Sequence, residues 1–320
     1  MKTPVVLVTG FLGSGKTTLI ARLLAHPELG ETAVIVNELG EVGIDHHLLR
    51  RVDERTVLLA NGCVCCTLRD DLATELRDLL DRRDAGEIPH FSRVVVETTG
   101  IADPTPIVNT LLADPLVPHH YELQTVVATV DGQHGLAGDE AVKQVAAADT
   151  LVLTKPDLAA SAALDQLEGR LERINPTAPV LRVVHGDVDP ATLLEHHADP
   201  RLPGRAAPAR EPAHGHGESA VAAIALELDA SVDWIAFGVW LTMLLQARGA
   251  DVLRVKGLLD VGGDGPLLVN CVQHAVHPPV HLDAWPDDDH RSRLVFIGRG
   301  FTAAALEASL RSFSRLSPEG

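Results

Sequence analysis

Val5-Val6-Leu7-Val8-Thr9 runs straight into Gly10-Phe11-Leu12-Gly13-Ser14-Gly15-Lys16-Thr17, and a helix-forming stretch, Thr18 to Ala25, follows. An apolar strand, a G-x-x-x-x-G-K-[ST] loop and a helix, in that order, is the setting in which such a loop cradles phosphate rather than merely turning the chain. Its glycines let backbone N–H groups converge on phosphate oxygens, the helix N-terminus adds its dipole, and Lys16 brings a point charge to the β and γ positions. Thr17 offers a hydroxyl to Mg2+. The expected nucleotide contacts here are Gly10, Gly13, Ser14, Gly15, Lys16, Thr17 and Thr18.

Two later strand ends add to this loop. Arg93-Val94-Val95-Val96-Glu97 is apolar until its final carboxylate and is followed by Thr98-Thr99-Gly100. A glutamate at a strand end is usually only solvated, but next to a phosphate loop it can reach the Mg2+ shell, with Gly100 towards the γ-phosphate. Lys16, Thr17 and Glu97 are therefore the expected catalytic set. Leu151-Val152-Leu153-Thr154-Lys155-Pro156-Asp157 is a strand followed by T-K-x-D. A carboxylate at Asp157 can accept both N1–H and N2–H of guanine, a donor pair adenine lacks, while the Lys155 stem can lie over the base. Thr154 stands where Asn is commoner. Asp131 also ends a strand, but no motif surrounds it and it reads as structural.

Three of the four cysteines crowd into Asn61-Gly62-Cys63-Val64-Cys65-Cys66-Thr67, between a strand and a helix that Thr67 and Asp70 are expected to cap. Leu68, Leu72, Leu76, Leu79 and Leu80 give that helix its core face. Thiols near a helix N-terminus have lowered pKa, so thiolates for Zn2+, Co2+ or another thiophilic metal are at hand near neutral pH. Three ligands leave one position open, which suits exchange better than a closed structural site. A small core cluster of cysteines is the plainer alternative, and three cysteines in four residues argue against it. Such a site belongs in a reducing compartment, and the chain is expected to be cytoplasmic.

The first half alternates short apolar strands with amphipathic helices, so the fold class expected is α/β: a nucleotide-binding domain with a mostly parallel sheet over 1–186. Its strands are expected at Val5 to Thr9, Ala33 to Asn37, Arg93 to Glu97, Thr125 to Asp131, Thr150 to Thr154 and Val180 to Val184. A linker rich in Pro, Gly and His is expected over 187–218, with one short helix at 191–197. A smaller α+β domain over 219–320 follows, with strands at 221–228, 252–261, 267–274 and 293–297 and helices at 234–246 and 302–313. Within it Trp234, Phe237 and Trp240 share a helix face and Cys271 reads as core. The 27 Lys and Arg against 44 Asp and Glu give a net charge of −17 over 320 residues, which disfavours a nucleic acid partner. No apolar run approaches the roughly 20 residues that span a bilayer. His46-His47, His119-His120, His196-His197 and His214-Gly215-His216 could load metal, but a flexible linker drifts to such pairs without function.

Gly10 to Thr17, Asn37-Glu38-Leu39-Gly40-Glu41-Val42-Gly43-Ile44-Asp45, Gly62-Cys63-Val64-Cys65-Cys66, Glu97-Thr98-Thr99-Gly100 and Thr154-Lys155-Pro156-Asp157 together resemble the CobW-type metallochaperone GTPases, in that family's order and spacing. The later stretches Val252 to Gly257 and Leu294 to Gly298 resemble its C-terminal domain less specifically. The resemblance implies GTP hydrolysis with Mg2+, a metal at Cys63, Cys65 and Cys66, and a switch over Asn37 to Asp45. It puts Glu38 between the γ-phosphate and the cysteines as a candidate ligand. GTP and GDP, a transition metal and a client metalloprotein are the partners it implies, and a homodimer stays open. The rivals are a P-loop kinase acting on a small molecule and a zinc buffer with GTP as a structural ligand. Asp157 and the cysteines argue against the first, and only a nucleotide-dependent metal affinity separates the chain from the second.

Overall fold

A computed structural model describes residues 2–37, 57–61, 68–194, 221–229 and 231–314. The chain divides into two units, one built on Met1–Leu171 with Ala178–His196 and the other on Glu172–Thr177 with His197–Gly320. No helix among the described residues is long and apolar enough to cross a membrane.

In the first unit the valine-rich runs form β1 (Thr3–Gly10), β2 (Thr32–Asn37), β3 (Val57–Asn61), β4 (Arg93–Glu97), β5 (Tyr121–Asp131), β6 (Thr150–Thr154) and β7 (Val180–Val183). They make one seven-stranded sheet in the order β3-β2-β4-β1-β5-β6-β7, and every pairing is parallel. Parallel strands need crossovers that cover both faces, which is why these runs are almost continuously apolar rather than alternating. Val6, Val8, Val34, Val36, Val95, Val127 and Val152 face the helix Lys16–Leu24, whose Leu19, Ile20, Leu23 and Leu24 close that core. On the sheet as a whole the helix Gly138–Ala147 packs against β1 and β5. Leu72, Leu76 and Leu79 of the helix Leu68–Asp84 are buried as the leucine spacing requires.

The helix expected at 191–197 is Pro190–Leu194. Leu193 and Leu194 are buried in the first unit's core, so the chain stays with that unit past residue 186, where the sequence placed the start of a linker. The prolines of that segment mislead because Pro190 occupies the first turn of a helix, where its missing N–H costs nothing.

The second unit is an antiparallel sheet in the order β11-β10-β9-β13-β8, with β12 pairing β10. Its strands are β8 (Ala222–Leu228), β9 (Val252–Leu259), β10 (Leu267–Val272), β11 (Ala275–Val276), β12 (Val280–His281) and β13 (Ser292–Gly298). The helix Trp234–Arg248 opens on Asp233, whose carboxylate accepts the N–H groups of Ile235 and Ala236. Phe237 and Trp240 are buried while Trp234 is 39% exposed; Trp234 stacks on Phe237 with centroids 6.1 Å apart, and Phe237 meets Trp240 at a tilt with centroids 5.5 Å apart. Trp240 also meets Phe296 edge-on and donates its indole N–H to Ser309 Oγ at 3.0 Å. Cys271 is fully buried, and burial pushes its thiol up to about 12, as a core cysteine requires. Phe237→Ala should remove about 3–5 kcal/mol from the stability of this unit, the range for emptying a core aromatic site. Urea unfolding followed by tryptophan fluorescence checks this, and a loss below about 1 kcal/mol would show that Phe237 is not part of a packed core.

Candidate functional site

The parallel register lines up the carboxyl ends of four strands along one edge, where open α/β sheets bind ligands. Val8 of β1 pairs with Glu97 of β4. Gly10 pairs with Thr129 of β5, and Asp131 of β5 pairs with Thr154 of β6. The phosphate loop leaves β1 at Gly10 and enters the helix at Lys16, turning at Gly13 and Gly15 with φ of 71° and 92°, values that a Cβ would strain.

Lys16 is only 8% exposed. Its Nζ donates to Gly10 O at 3.0 Å and lies 3.4 Å from Phe11 O, which fixes the ammonium over the loop. Thr17 Oγ1 donates to Glu97 Oε1 at 2.9 Å, and Glu97 is buried. Two neighbouring oxygen ligands of an octahedral Mg2+, each about 2.1 Å from the metal, lie about 3.0 Å apart. The Thr17 and Glu97 oxygens therefore fit a shared Mg2+ shell. Gly100 sits so close to the loop that a Cβ on it would fall 2.6 Å from Leu12 N and 2.7 Å from Leu12 Cα. The buried Gln144 also holds that segment, its Nε2 donating to Gly100 O at 3.3 Å and to Ala102 O at 3.0 Å.

A row of buried hydroxyls ties these pieces together. Thr98 Oγ1 donates to Thr9 Oγ1 at 2.9 Å. Thr129 Oγ1 lies 3.3 Å from Thr9 O, to which it can donate, and 2.6 Å from Ser14 Oγ. Thr154 Oγ1 lies 2.7 Å from Ser14 O and 3.1 Å from Val130 O. Lys155, at φ 51°, donates from Nζ to Gly13 O at 2.7 Å and to Asp131 Oδ2 at 2.7 Å. Asp157 is exposed in the short turn Pro156–Leu158 that follows.

Of the residues expected from sequence, the structure brings Gly10, Gly13, Ser14, Gly15, Lys16, Thr17, Glu97, Gly100, Thr154 and Lys155 to one edge, with Thr18 exposed in the first turn of the helix. Glu38, Cys63, Cys65, Cys66, the cap at Thr67 and the histidines at 46, 47, 196, 197, 214 and 216 lie outside the described residues. His119 and His120 are exposed at the end of the helix Val117–His120. Asp131, which reads from sequence as structural, and Thr129 and Gln144, which no motif marks, also lie at this edge.

Residues 4–182 match the family described as CobW/HypB/UreG, nucleotide-binding domain, and residues 221–314 match the Cobalamin synthesis protein cobW C-terminal domain. The chain is 37% identical over 304 residues to the zinc chaperone YjiA of Escherichia coli (strain K12), covering 92% of this chain and 93% of that protein. It is 30% identical to the zinc chaperone CobW of Pseudomonas aeruginosa over 97% of this chain and 91% of that one. A crystal structure of a Zn(II)-bound YjiA triple mutant superposes with a TM-score of 0.72 at 31% identity, covering 98% and 99% of the two chains.

Gly100→Ala tests the loop contact. Overpacking of this kind costs about 1–3 kcal/mol, and since the displaced atoms belong to Leu12, the loss should fall on nucleotide affinity. Titration with a fluorescent GDP analogue, beside a circular dichroism melt, reads both. Full affinity in the variant would mean that Gly100 does not pack against the loop.

Proposed function

Because the chain belongs to the CobW/HypB/UreG family and is a GTPase, we propose that its GTP hydrolysis gates the transfer of a transition metal, zinc or cobalt, held by Cys63, Cys65 and Cys66 and handed to a client metalloprotein. Glu38 is the switch-borne ligand in this reading. One observation carries it: β2 ends beside β3, with Asn37 paired to Asn61, and beside β4, with Val36 paired to Glu97. In the chain Glu38 follows Asn37 directly and Cys63 follows Asn61 by two residues. The Mg2+-side acid, the switch and the cysteine segment are thus rooted on neighbouring strand ends.

Lys16 and the loop N–H groups would bind and orient the β and γ phosphates, with charge already in place where it develops during phosphoryl transfer. Thr17 and Glu97 would hold Mg2+, which would supply charge neutralisation to the phosphate oxygens when bound. The Gly100 segment, pressed on the loop and held by Gln144, faces the γ-phosphate side, and the switch would orient the attacking water. Thr154, Lys155 and Asp157 would select guanine. Thiolates accept zinc or cobalt with the open fourth position that exchange needs. Zinc is favoured because both relatives, YjiA and CobW, are zinc chaperones. The YjiA triple mutant, with one glutamate and two cysteines replaced by alanine, is still Zn(II)-bound, so bound zinc alone does not identify a transfer site. Coupling to nucleotide does.

Zinc affinity, measured by competition with a chelating dye, should be about 5- to 150-fold tighter with Mg2+ and a non-hydrolysable GTP analogue than with GDP, the usual span of coupling energies. Zinc must then tighten GTP binding by the same factor. Replacing Cys63, Cys65 and Cys66 by Ser should abolish both effects and leave metal-free GTP affinity unchanged. Equal zinc affinity in the two nucleotide states would favour a buffer. Lys16→Ala should abolish tight GTP binding in the same assays, and unchanged binding would remove the phosphate-loop role.

A further inference from the structure

We infer that Asp131 is a positioning residue for base recognition: it clamps Lys155 between the end of β5 and the phosphate loop, so that guanine selectivity depends on a carboxylate outside the T-K-x-D segment. The inference rests on the reading of Lys155 and Asp157 as base-side residues. What it adds is the group that holds Lys155 in place.

Lys155 Nζ sits at 2.7 Å from Asp131 Oδ2 and at 2.7 Å from Gly13 O, so one ammonium joins a strand end to the loop. Asp131 is itself immobilised. Its Oδ1 accepts the N–H groups of Gln133 at 2.8 Å and His134 at 3.1 Å, and its backbone O accepts Gly135 N–H at 2.7 Å. Gly132 N–H donates to Thr154 O at 2.7 Å, which ties the same turn to the segment that carries Lys155. The carboxylate is 7% exposed. Burial alone would raise its pKa, but the hydrogen bonds from Lys155, from the His134 side chain and from the amides of His134 and Gln133 outweigh that and hold it at about 2. It therefore carries its charge near neutral pH.

The pair would be unremarkable as a surface ion pair, since an exposed pair adds little stability. Its place gives it meaning. Lysine is a flexible stem, and a base stacked on that stem binds better if the stem is already ordered. The backbone of Lys155 is left-handed, a conformation kept by a non-glycine residue only where its surroundings enforce it. Asp131, His134 and Lys155 border a cavity of about 340 Å3 that also reaches Leu12 and Gln144. Released from Asp131, the lysine has room to swing away from the loop. His134 Nδ1 lies 3.1 Å from Asp131 Oδ2 on a largely exposed ring and would hold the carboxylate in its place, but it makes no contact with the loop that would substitute for Lys155.

Binding of GDP, XDP and ADP to the full-length chain is measured by calorimetric titration for the parent, Asp131→Ala, Asp131→Asn, Lys155→Met, Asp131→Ala/Lys155→Met and Asp157→Asn. Asp131→Ala should weaken GDP about tenfold, the scale of one hydrogen bond to a charged group, with ADP little changed, so that the preference for guanine falls. Asp131→Asn keeps the shape and an acceptor oxygen, and should recover part of the loss. The double variant should be no worse than Lys155→Met alone, which a general structural role for Asp131 would not produce. If Asp131→Ala fails to fold, Asp131→Asn carries the test with a smaller loss confined to GDP. An unchanged GDP to ADP ratio in the Asp131 variants, or a double variant additive in its parts, overturns the inference. Asp157→Asn separates the two levels: if it shifts preference towards XDP while the Asp131 variants do nothing, base reading stands and the clamp falls. If Asp157→Asn also does nothing, the base reading fails and the clamp with it.

Discussion

A buried hydroxyl must be paired, and on this edge that constraint holds the nucleotide site together. Thr98, Thr9, Thr129, Ser14 and Thr154 are each at most 6% exposed, and among the described residues they find partners in one another and in nearby carbonyls. Leaving one such group unpaired costs about 1–3 kcal/mol, more than one good bond contributes net. The loop is therefore held less by its own turns than by the strand ends β4, β1, β5 and β6 beneath it. Those ends can share one row only because the sheet is parallel and β1 lies between β4 and β5.

That arrangement divides the edge into parts with different freedom. From β4 to β6 the polar atoms are locked to each other across strands, so this part of the edge forms a preorganised surface whose ordering is achieved on folding rather than on binding. The pair β2 and β3 lies on the outer side of β4, where register places Asn37 against Asn61. On the reading proposed above, nucleotide can change metal affinity only if the metal site differs between the nucleotide states, because a ligand shifts an equilibrium by its differential affinity and no more.

Most of the strands, the parallel sheet and the phosphate-loop motif were legible in sequence, because apolar runs bounded by turns and a motif with strict geometry each leave a local trace. Thr150 to Thr154 and Arg93 to Glu97 were placed to the residue. The start of β5 was missed by four residues, since Glu122 and Gln124 interrupt its apolar pattern where the strand begins. The helix at 190–194 was put in a linker because its prolines outweighed two buried leucines. What sequence could not show are contacts across strands. Gln144 reaching Gly100, Ser14 meeting Thr129, and Asp131 gripping Lys155 join residues 44, 115 and 24 positions apart, and nothing local marks either partner.

Thr154 shows how one substitution redistributes work within such a site. Read alone, a threonine where asparagine is commoner weakens the guanine assignment. In place, it ends a strand buried along its whole length, where a β-branched side chain fits better than a flexible amide. Its hydroxyl reaches Ser14 O and so ties β6 to the loop. A threonine spends its single donor there and has no amide to offer elsewhere. The loop then needs its second tie from the neighbouring residue, and Lys155 supplies it through Gly13 O. If Lys155 is the base-side residue proposed above, a lysine that both anchors the loop and lies along a base cannot be left to sample rotamers, and the carboxylate that ends the adjacent strand, Asp131, is in register to hold it.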